Sequence, residues 1–102
     1  MSQLFIIELN YTVPLEQIDA HMGEHMRFLK KYYAKNIFLA SGRKVPRTGG
    51  IILALGSDLK TIEQIISEDP FFNKKLAQFK ITEFQASQTH PTMKILLDGL
   101  GS

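Results

Sequence analysis

The chain has 102 residues, of which 44% are hydrophobic and 22% charged, a composition that predicts one globular domain rather than a disordered chain. The absence of cysteine excludes disulfide scaffolds, zinc ribbons and cysteine nucleophiles. A net charge of +2 with dispersed basic residues argues against nucleic-acid binding. We find no apolar run long enough to span a membrane and no secretory signal, so we expect a cytoplasmic protein that does not bind membranes.

The first half of the chain predicts a strand, a helix and a second strand. Residues 4–9 form an apolar run rich in β-formers. Apolar residues then recur at helical spacing over 15–35, and Asn36 is expected to end this helix in a left-handed conformation. Residues 37–40 predict the second strand, and the Gly- and Pro-rich segment 41–50 predicts a polar connection.

The second half predicts a strand, a helix and a further strand. Residues 51–55 are apolar, and Asp58 is placed to cap the amphipathic helix that follows. Pro70 is expected to stop this helix, because the residue before a proline disfavours the α region. Residues 79–84 predict the fourth strand, and 93–97 predict one or two helical turns.

The resulting order, β-α-β-β-α-β, is typical of the ferredoxin-like, or split βαβ, fold of the α+β class. This fold has a four-stranded antiparallel sheet, and its two crossover helices lie on one face of that sheet. We therefore expect a single domain over 1–102, with a core spanning 3–86 and a C-terminal extension over 87–102.

The apolar strands also predict an oligomer. A sheet with one wet face alternates apolar and polar residues, but residues 4–9 and 51–55 do not alternate. Because two helices cover only one face, a second copy of the chain is expected to cover the other, giving a homodimer with its sheets packed face to face. The alternative is that the C-terminal tail folds over that face of a monomer.

Two histidines on the first helix are candidates for chemistry. His21 and His25 are four residues apart and share a face, and His25 lies within the apolar stripe. His25 is either a core histidine satisfied by one hydrogen bond or a general base, since imidazole titrates near neutral pH. No carboxylate is spaced to complete a metal site with the pair, so no metal is expected.

Asp69 is the candidate partner of His25. An aspartate before a proline commonly ends a helix, which is the simpler interpretation of Asp69 and Pro70. However, both helices of this fold lie on the same face of the sheet. The end of the second helix can then bring Asp69 towards the first, where a carboxylate would fix the tautomer of an imidazole.

The segment after the second strand is a candidate anion site. Ser41, Gly42 and Arg43 are followed by two further basic residues, Lys44 and Arg47, among several glycines. A guanidinium fork and free backbone N–H groups suit an anion, although the spacing does not match a phosphate-binding P-loop. The alternative is a solvated hairpin loop with basic residues at its edge.

The motifs, in this order, resemble the YciI-like (YCII-related) family over about residues 3 to 86. The segments that carry the resemblance are 25–29, 40–42, 49–53, 69–71 and 81–84. The resemblance implies a ferredoxin-like fold assembled as a dimeric α+β barrel. It also implies an active site built from His25 and Asp69, and kinship with muconolactone-type isomerases and with dehalogenases that eliminate chloride from chlorinated lactones.

The function expected from the residues and the resemblance is a small lyase, isomerase or dehalogenase that acts on an anionic organic acid or lactone and needs no cofactor. His25 would abstract a proton next to a carbonyl, and Asp69 would orient the ring. The alternative is a non-catalytic ligand-binding or interaction module in which the two residues form a structural pair. The residues expected to bind substrate are Ser41, Gly42, Arg43 and His21.

Overall fold

The structure of the protein, a computed structural model, describes residues 3–101. The elements in chain order are β1 (Gln3–Tyr11), α1 (Leu15–Ala20), α2 (Met22–Ala34), β2 (Phe38–Arg43), β3 (Gly49–Gly56), α3 (Leu59–Ile66), α4 (Pro70–Asn73), β4 (Ala77–Phe84) and α5 (Pro91–Gly101). None of the helices within the described residues has the length and apolar character needed to cross a bilayer.

The four strands form one antiparallel sheet in the order β2–β3–β1–β4. The central strand β1 pairs with β3 from Gln3 to Asn10 and with β4 from Leu4 to Tyr11. This order and direction are those of the ferredoxin-like fold, so the predicted fold class is confirmed.

One face of the sheet carries the main hydrophobic core. Alternate residues of β1, namely Phe5, Ile7 and Leu9, are buried against the helices, as the two-residue period of a strand requires. Ile18 of α1 and Ile62 of α3 pack into the same cluster and are also fully buried. Burial of each such side chain stabilises the fold by about 1.5–3 kcal/mol, so this layer holds the helices in place.

The other face of the sheet, here called the outer face, is only partly covered. At one end α5 packs Leu97 against Leu4 and Leu55, so the C-terminal tail does fold over part of this face. Further along, Ile6 is 38% exposed and Ile51 is 36% exposed. The C-terminal tail therefore covers one end of the outer face, which the sequence predicts to be covered by a second copy of the chain.

The first helix differs from the prediction. Instead of one helix over 15–35, α1 ends at Ala20 and α2 begins at Met22, with the break at His21 (φ −111°, ψ 9°). Apolar periodicity does not reveal the break, because both segments bury their apolar sides against the same sheet. The expectation for Asn36 is confirmed, since its φ is 61°.

The connection between the second and third strands is shorter than predicted. The sequence predicts a connection over 41–50, but β2 continues through Arg43 and β3 begins at Gly49. Gly49 is needed within the strand, because a Cβ atom there would lie 1.8 Å from the carbonyl oxygen of Leu9. Gly49 reflects the close approach of two strands, whereas the sequence predicts that it is part of a turn.

Candidate active site

The structure brings His25 of α2 together with Asp69 at the start of α4. His25 Nδ1 lies 2.9 Å from Asp69 Oδ1, although the residues are 44 apart in sequence. His25 is 8% exposed and Asp69 is 0% exposed. Among the residues whose burial is described, these two are the buried residues with polar or charged side chains. Such residues are seldom buried without a partner, which sets this pair apart from the surrounding apolar core.

Asp69 is held in place by the local structure of α4. Its Oδ1 atom accepts a hydrogen bond of 2.9 Å from the backbone N–H of Phe71, which makes Asp69 the N-cap of this short helix. Pro70 occupies the first helical position, where its missing N–H is tolerated. The prediction that Pro70 stops the preceding helix is wrong, because α3 already ends at Ile66.

The hydrogen bond defines which ring nitrogen of His25 is available. An ionised aspartate only accepts hydrogen bonds, so Nδ1 donates to Asp69 and the neutral ring keeps its lone pair on Nε2. The ring of Phe71 stacks on the imidazole, with centroids 4.1 Å apart and planes 6° apart. Asp69 and Phe71 therefore fix both the tautomer and the plane of a potential base.

A cavity of about 240 Å³ lies beside this pair. It is lined by His25 and Phe71, by apolar side chains from the sheet and α2, and by polar groups from the end of β2. A mostly apolar cavity with a few convergent polar groups is typical of a small-molecule site. A cavity of this size suits a small monocyclic or short-chain ligand.

The three basic residues that the sequence grouped together separate in the structure. Arg43 and Arg47 line the cavity, whereas Lys44 Nζ donates hydrogen bonds to Glu8 and Asn10 on the outer face. Successive residues of an extended strand point to opposite faces, so adjacent residues diverge in this way. Glu8 has its pKa lowered by the hydrogen bond and the positive charge of Lys44.

Arg47 also lines the cavity. The sequence placed it in the candidate anion segment but not among the residues expected to bind substrate. Its Nη2 atom donates to Asp19 Oδ1 on α1. The hydrogen bond from Arg47 lowers the pKa of Asp19, and the same bond raises the pKa of Arg47. The sequence marked Arg47 as a basic loop residue, but nothing in it indicates a partner 28 residues away.

Of the other residues expected to bind substrate, Ser41 and Gly42 line the cavity and His21 does not. The Ser41 hydroxyl lies 2.7 Å from the hydroxyl of Tyr33 on α2. His21 lies at the helix break, outside this lining, with Nδ1 3.7 Å from Glu24 Oε1. Its expected role in substrate binding therefore finds no support in the lining. Within residues 3–101, no three potential metal-ligating side chains form a cluster.

The comparison with known families identifies the chain. The family model described as the YCII-related domain matches residues 4–85, which include His25, Asp69 and the end of β2. The chain belongs to this family. The match ends before α5, so this YCII-related protein has its C-terminal helix outside the matched region. A search of curated proteins finds no match.

Solved structures share the fold of this YCII-related chain at low identity. One is 5-chloro-2-hydroxyhydroquinone dehydrochlorinase from Burkholderia phenoliruptrix in complex with 2,5-dihydroxybenzoquinone, with 15% identity, a TM-score of 0.70, and coverage of 82% of this chain and 95% of that chain. Another is SnoaB, a cofactor-independent oxygenase from Streptomyces nogalater, with 13% identity, a TM-score of 0.53, and coverage of 88% and 97%. These likenesses show that this chain shares the α+β fold of those proteins and nothing more specific.

Proposed function

We propose that this YCII-related protein is a small lyase or isomerase of the organic-acid and lactone type, with His25 as its general base. The observation that carries the proposal is the buried 2.9 Å hydrogen bond between His25 and Asp69 at the edge of a cavity. A base whose tautomer is fixed by a carboxylate, beside a space for a small ligand, is suited to abstracting a proton from carbon.

In the proposed reaction, His25 Nε2 takes a proton from the carbon next to a substrate carbonyl. The electron pair of that C–H bond moves towards the carbonyl oxygen, and Asp69 stabilises the imidazolium that forms. Expulsion of a leaving group such as chloride completes an elimination, and return of the proton to another carbon completes an isomerisation. General base catalysis contributes about 10²–10⁴-fold to such a step.

The polar residues at the end of β2 supply the substrate contacts in this proposal. The guanidinium of Arg43 carries a positive charge that suits a carboxylate or a developing enolate oxygen. Ser41 adds a hydroxyl to the same wall of the cavity, and the hydroxyl of Tyr33 holds it. Together they would orient an anionic substrate with its acidic C–H bond towards His25.

The structural neighbours support an enzymatic use of the fold. One is named a dehydrochlorinase and the other a cofactor-independent oxygenase, and the match with this chain covers 95% and 97% of their own lengths. Elimination of chloride next to a carbonyl is one of the reactions that the His25 site is suited to perform. The low identity gives no reason to expect the same substrate here.

A ligand-binding module without catalysis is the second candidate. It is favoured by the close packing of the pair, since Asp69 caps α4 and the ring of Phe71 stacks on His25. The same contacts would hold α2 against α4 in a protein that only binds its ligand. The two candidates differ in whether carbon-bound protons exchange in the cavity.

The test is deuterium exchange in D₂O, with chloride release measured in parallel. The substrates are a panel of small lactones, keto acids and 5-chloro-2-hydroxyhydroquinone. The wild-type protein should exchange the proton next to the carbonyl, or release chloride, for at least one compound. His25→Ala should reduce that rate by about 10²–10⁴-fold, because the base is removed.

The matched control is His90→Ala, which removes an exposed histidine outside the cavity and should leave the rate unchanged. Circular dichroism would establish that both variants are folded. An unreduced rate in His25→Ala would refute the role of His25 as the base. If compounds bind but none exchanges or loses chloride, the ligand-binding module becomes the better description.

A further inference from the structure

His90 accepts a hydrogen bond at the start of α5. Its Nδ1 atom lies 3.1 Å from the backbone nitrogen of Thr92, whose N–H group is the donor. Pro91 is the first residue of the helix, so His90 stands at the N-cap and Thr92 at the second helical position. Serine, threonine, asparagine and aspartate usually make this bond at a helix start. Histidine differs from them because its side chain changes charge near neutral pH.

Protonation of the ring is incompatible with this cap. Nδ1 accepts the bond only in the tautomer that carries its proton on Nε2, whereas an imidazolium donates from both nitrogens. A helix N-terminus also has a partial positive charge, which disfavours a cation there. None of the residues in the first turn of α5 is acidic, so no carboxylate in that turn offsets the repulsion. The cap is therefore present only while His90 is neutral.

The helix that His90 caps is held on the outer face by few contacts. Among the α5 residues whose burial is described, Leu97 is the one that is buried, and it packs against Leu4 and Leu55. Ile95, by contrast, is 73% exposed. A helix of 11 residues is marginal by itself in water, so α5 is expected to unfold when it leaves the sheet. Capping and docking are therefore coupled, and loss of the cap weakens docking.

The charged groups of α5 itself do not stabilise a protonated His90. Lys94 lies one turn along the helix, where its backbone N–H donates to the carbonyl of His90 at 2.9 Å. Like charges at this spacing on a helix repel each other. Asp98 lies two turns from His90, roughly 12 Å along the axis, so solvent and salt screen most of its attraction.

The sheet brings no charged group to the described residues on which α5 docks, since that cluster is entirely apolar. Glu83 of β4 lies on the face that packs against the helices, by its register with β1. Glu8 lies further along the outer face, with Lys44 bonded to it and Lys80 opposite it in the ladder. His90 is therefore the described group beside α5 whose charge changes between neutral and mildly acidic pH.

We propose that His90 is a pH-sensitive cap that controls the docking of α5 on the outer face. At neutral pH the unprotonated ring caps α5, and the helix covers Leu4 and Leu55. As the pH falls through the range in which imidazole titrates, the cap is lost and the docked state loses population. Loss of an N-cap shifts such an equilibrium by about 2- to 30-fold. The inference is independent of the proposed function, because α5 does not line the cavity beside His25.

Hydrogen–deuterium exchange of the α5 amides tests the cap, with His90→Asn as the matched variant. Asparagine caps helices well and does not titrate, so this variant should keep α5 docked at neutral and mildly acidic pH. The wild-type exchange rate is divided by that of His90→Asn at the same pH, which cancels the pH dependence of exchange itself. This ratio should rise by about 2- to 30-fold between about pH 7.5 and about pH 5.

Two further variants separate the cap from other effects of acid. His90→Ala removes the cap at every pH, so its α5 amides should exchange faster than those of the wild type at about pH 7.5. Its rate relative to His90→Asn should not change with pH. His21→Gln changes a histidine at the break between α1 and α2, and it should retain the full pH response of the wild type.

The inference would be overturned by a ratio that is the same at both pH values, or by α5 amides that are unprotected in the wild type at both. Wild-type protection in His90→Ala would show that the cap contributes nothing to docking. Loss of the pH response in His21→Gln would place the switch at a different histidine. Acceleration confined to the first turn, with the amides of Leu97 and Asp98 unaffected, would show fraying of the helix start and would overturn the release of α5.

Discussion

At the scale of single residues, Asp69 serves two partners through one oxygen atom. Its Oδ1 accepts from the backbone N–H of Phe71 and from His25 Nδ1, each at 2.9 Å. The local role, capping α4, follows from its position before Pro70. The long-range role depends on the packing of α2 beside α4, and no local pattern reveals it.

Replacement of Asp69 should reveal the structural part of its role. Asp69→Ala removes a helix cap and leaves two buried donors without an acceptor, so it should lower the free energy of unfolding by about 2–3 kcal/mol. Asp69→Asn retains an oxygen that can accept and should cost less. Urea denaturation measures both changes, and an Asp69→Ala variant as stable as the wild type would contradict this account.

At the scale of secondary-structure elements, Glu68 joins α2 to the turn after α3. Its carboxylate accepts hydrogen bonds from Lys31 Nζ at 2.8 Å and from the hydroxyl of Tyr32. The bond from Lys31, followed by the one from Tyr32, lowers the pKa of Glu68 below its ordinary value. Glu68 directly precedes Asp69, the N-cap of α4, so this contact also helps to hold α2 beside α4.

This contact predicts a pH dependence of stability. Because the pKa of Glu68 is lower in the folded state, the stabilisation is fully present above the ordinary value of 4.5 and is lost as the pH falls through the lowered folded-state pKa. Glu68→Gln should therefore flatten the loss of stability on acidification, measured by urea denaturation between neutral and acidic pH. Glu63→Gln, on α3, is the control, and an identical acid slope in wild type and Glu68→Gln would contradict the prediction.

Local signals predicted some elements well and others poorly. The helix after Asp58 was predicted correctly, because Asp58 Oδ1 does accept the N–H of Thr61 and the apolar period is strong. The sequence does not predict the break at His21, since an interruption at a single residue leaves the apolar spacing intact. The strand ends at Arg43 and Gly49 were missed, because strand pairing outweighs the turn preference of glycine there.

At the scale of the whole molecule, the outer face bears on how the chain assembles. We propose that a second copy packs on it, since α5 covers only the end near Leu4 and leaves Ile6 and Ile51 partly exposed. The pairing of Lys44 with Glu8 puts a polar contact beside these apolar residues. A homodimer with facing sheets would remove the remaining apolar surface from water.

Sedimentation of matched variants tests this assembly. The wild type should sediment with twice the mass of one chain. Ile6→Lys, on the outer face, should shift the protein to the monomer by placing an unpaired charge in the interface. Leu59→Lys is the control, because Leu59 on α3 is 39% exposed, against 38% for Ile6, and should leave the dimer intact. A monomeric wild type, or an Ile6→Lys variant that remains dimeric, would refute the assembly.

The sequence by itself determined the order of strands and helices, the fold class, and the presence of His25 and Asp69 as unusual polar residues near apolar segments. These features depend on short-range periodicity and on the rules that connect neighbouring elements. Only the tertiary structure decided that His25 contacts Asp69, that Arg47 lines the cavity while Lys44 lies on the outer face, and that α5 covers one end of that face. Those outcomes depend on contacts between residues far apart in the chain, which the packing of the whole domain selects.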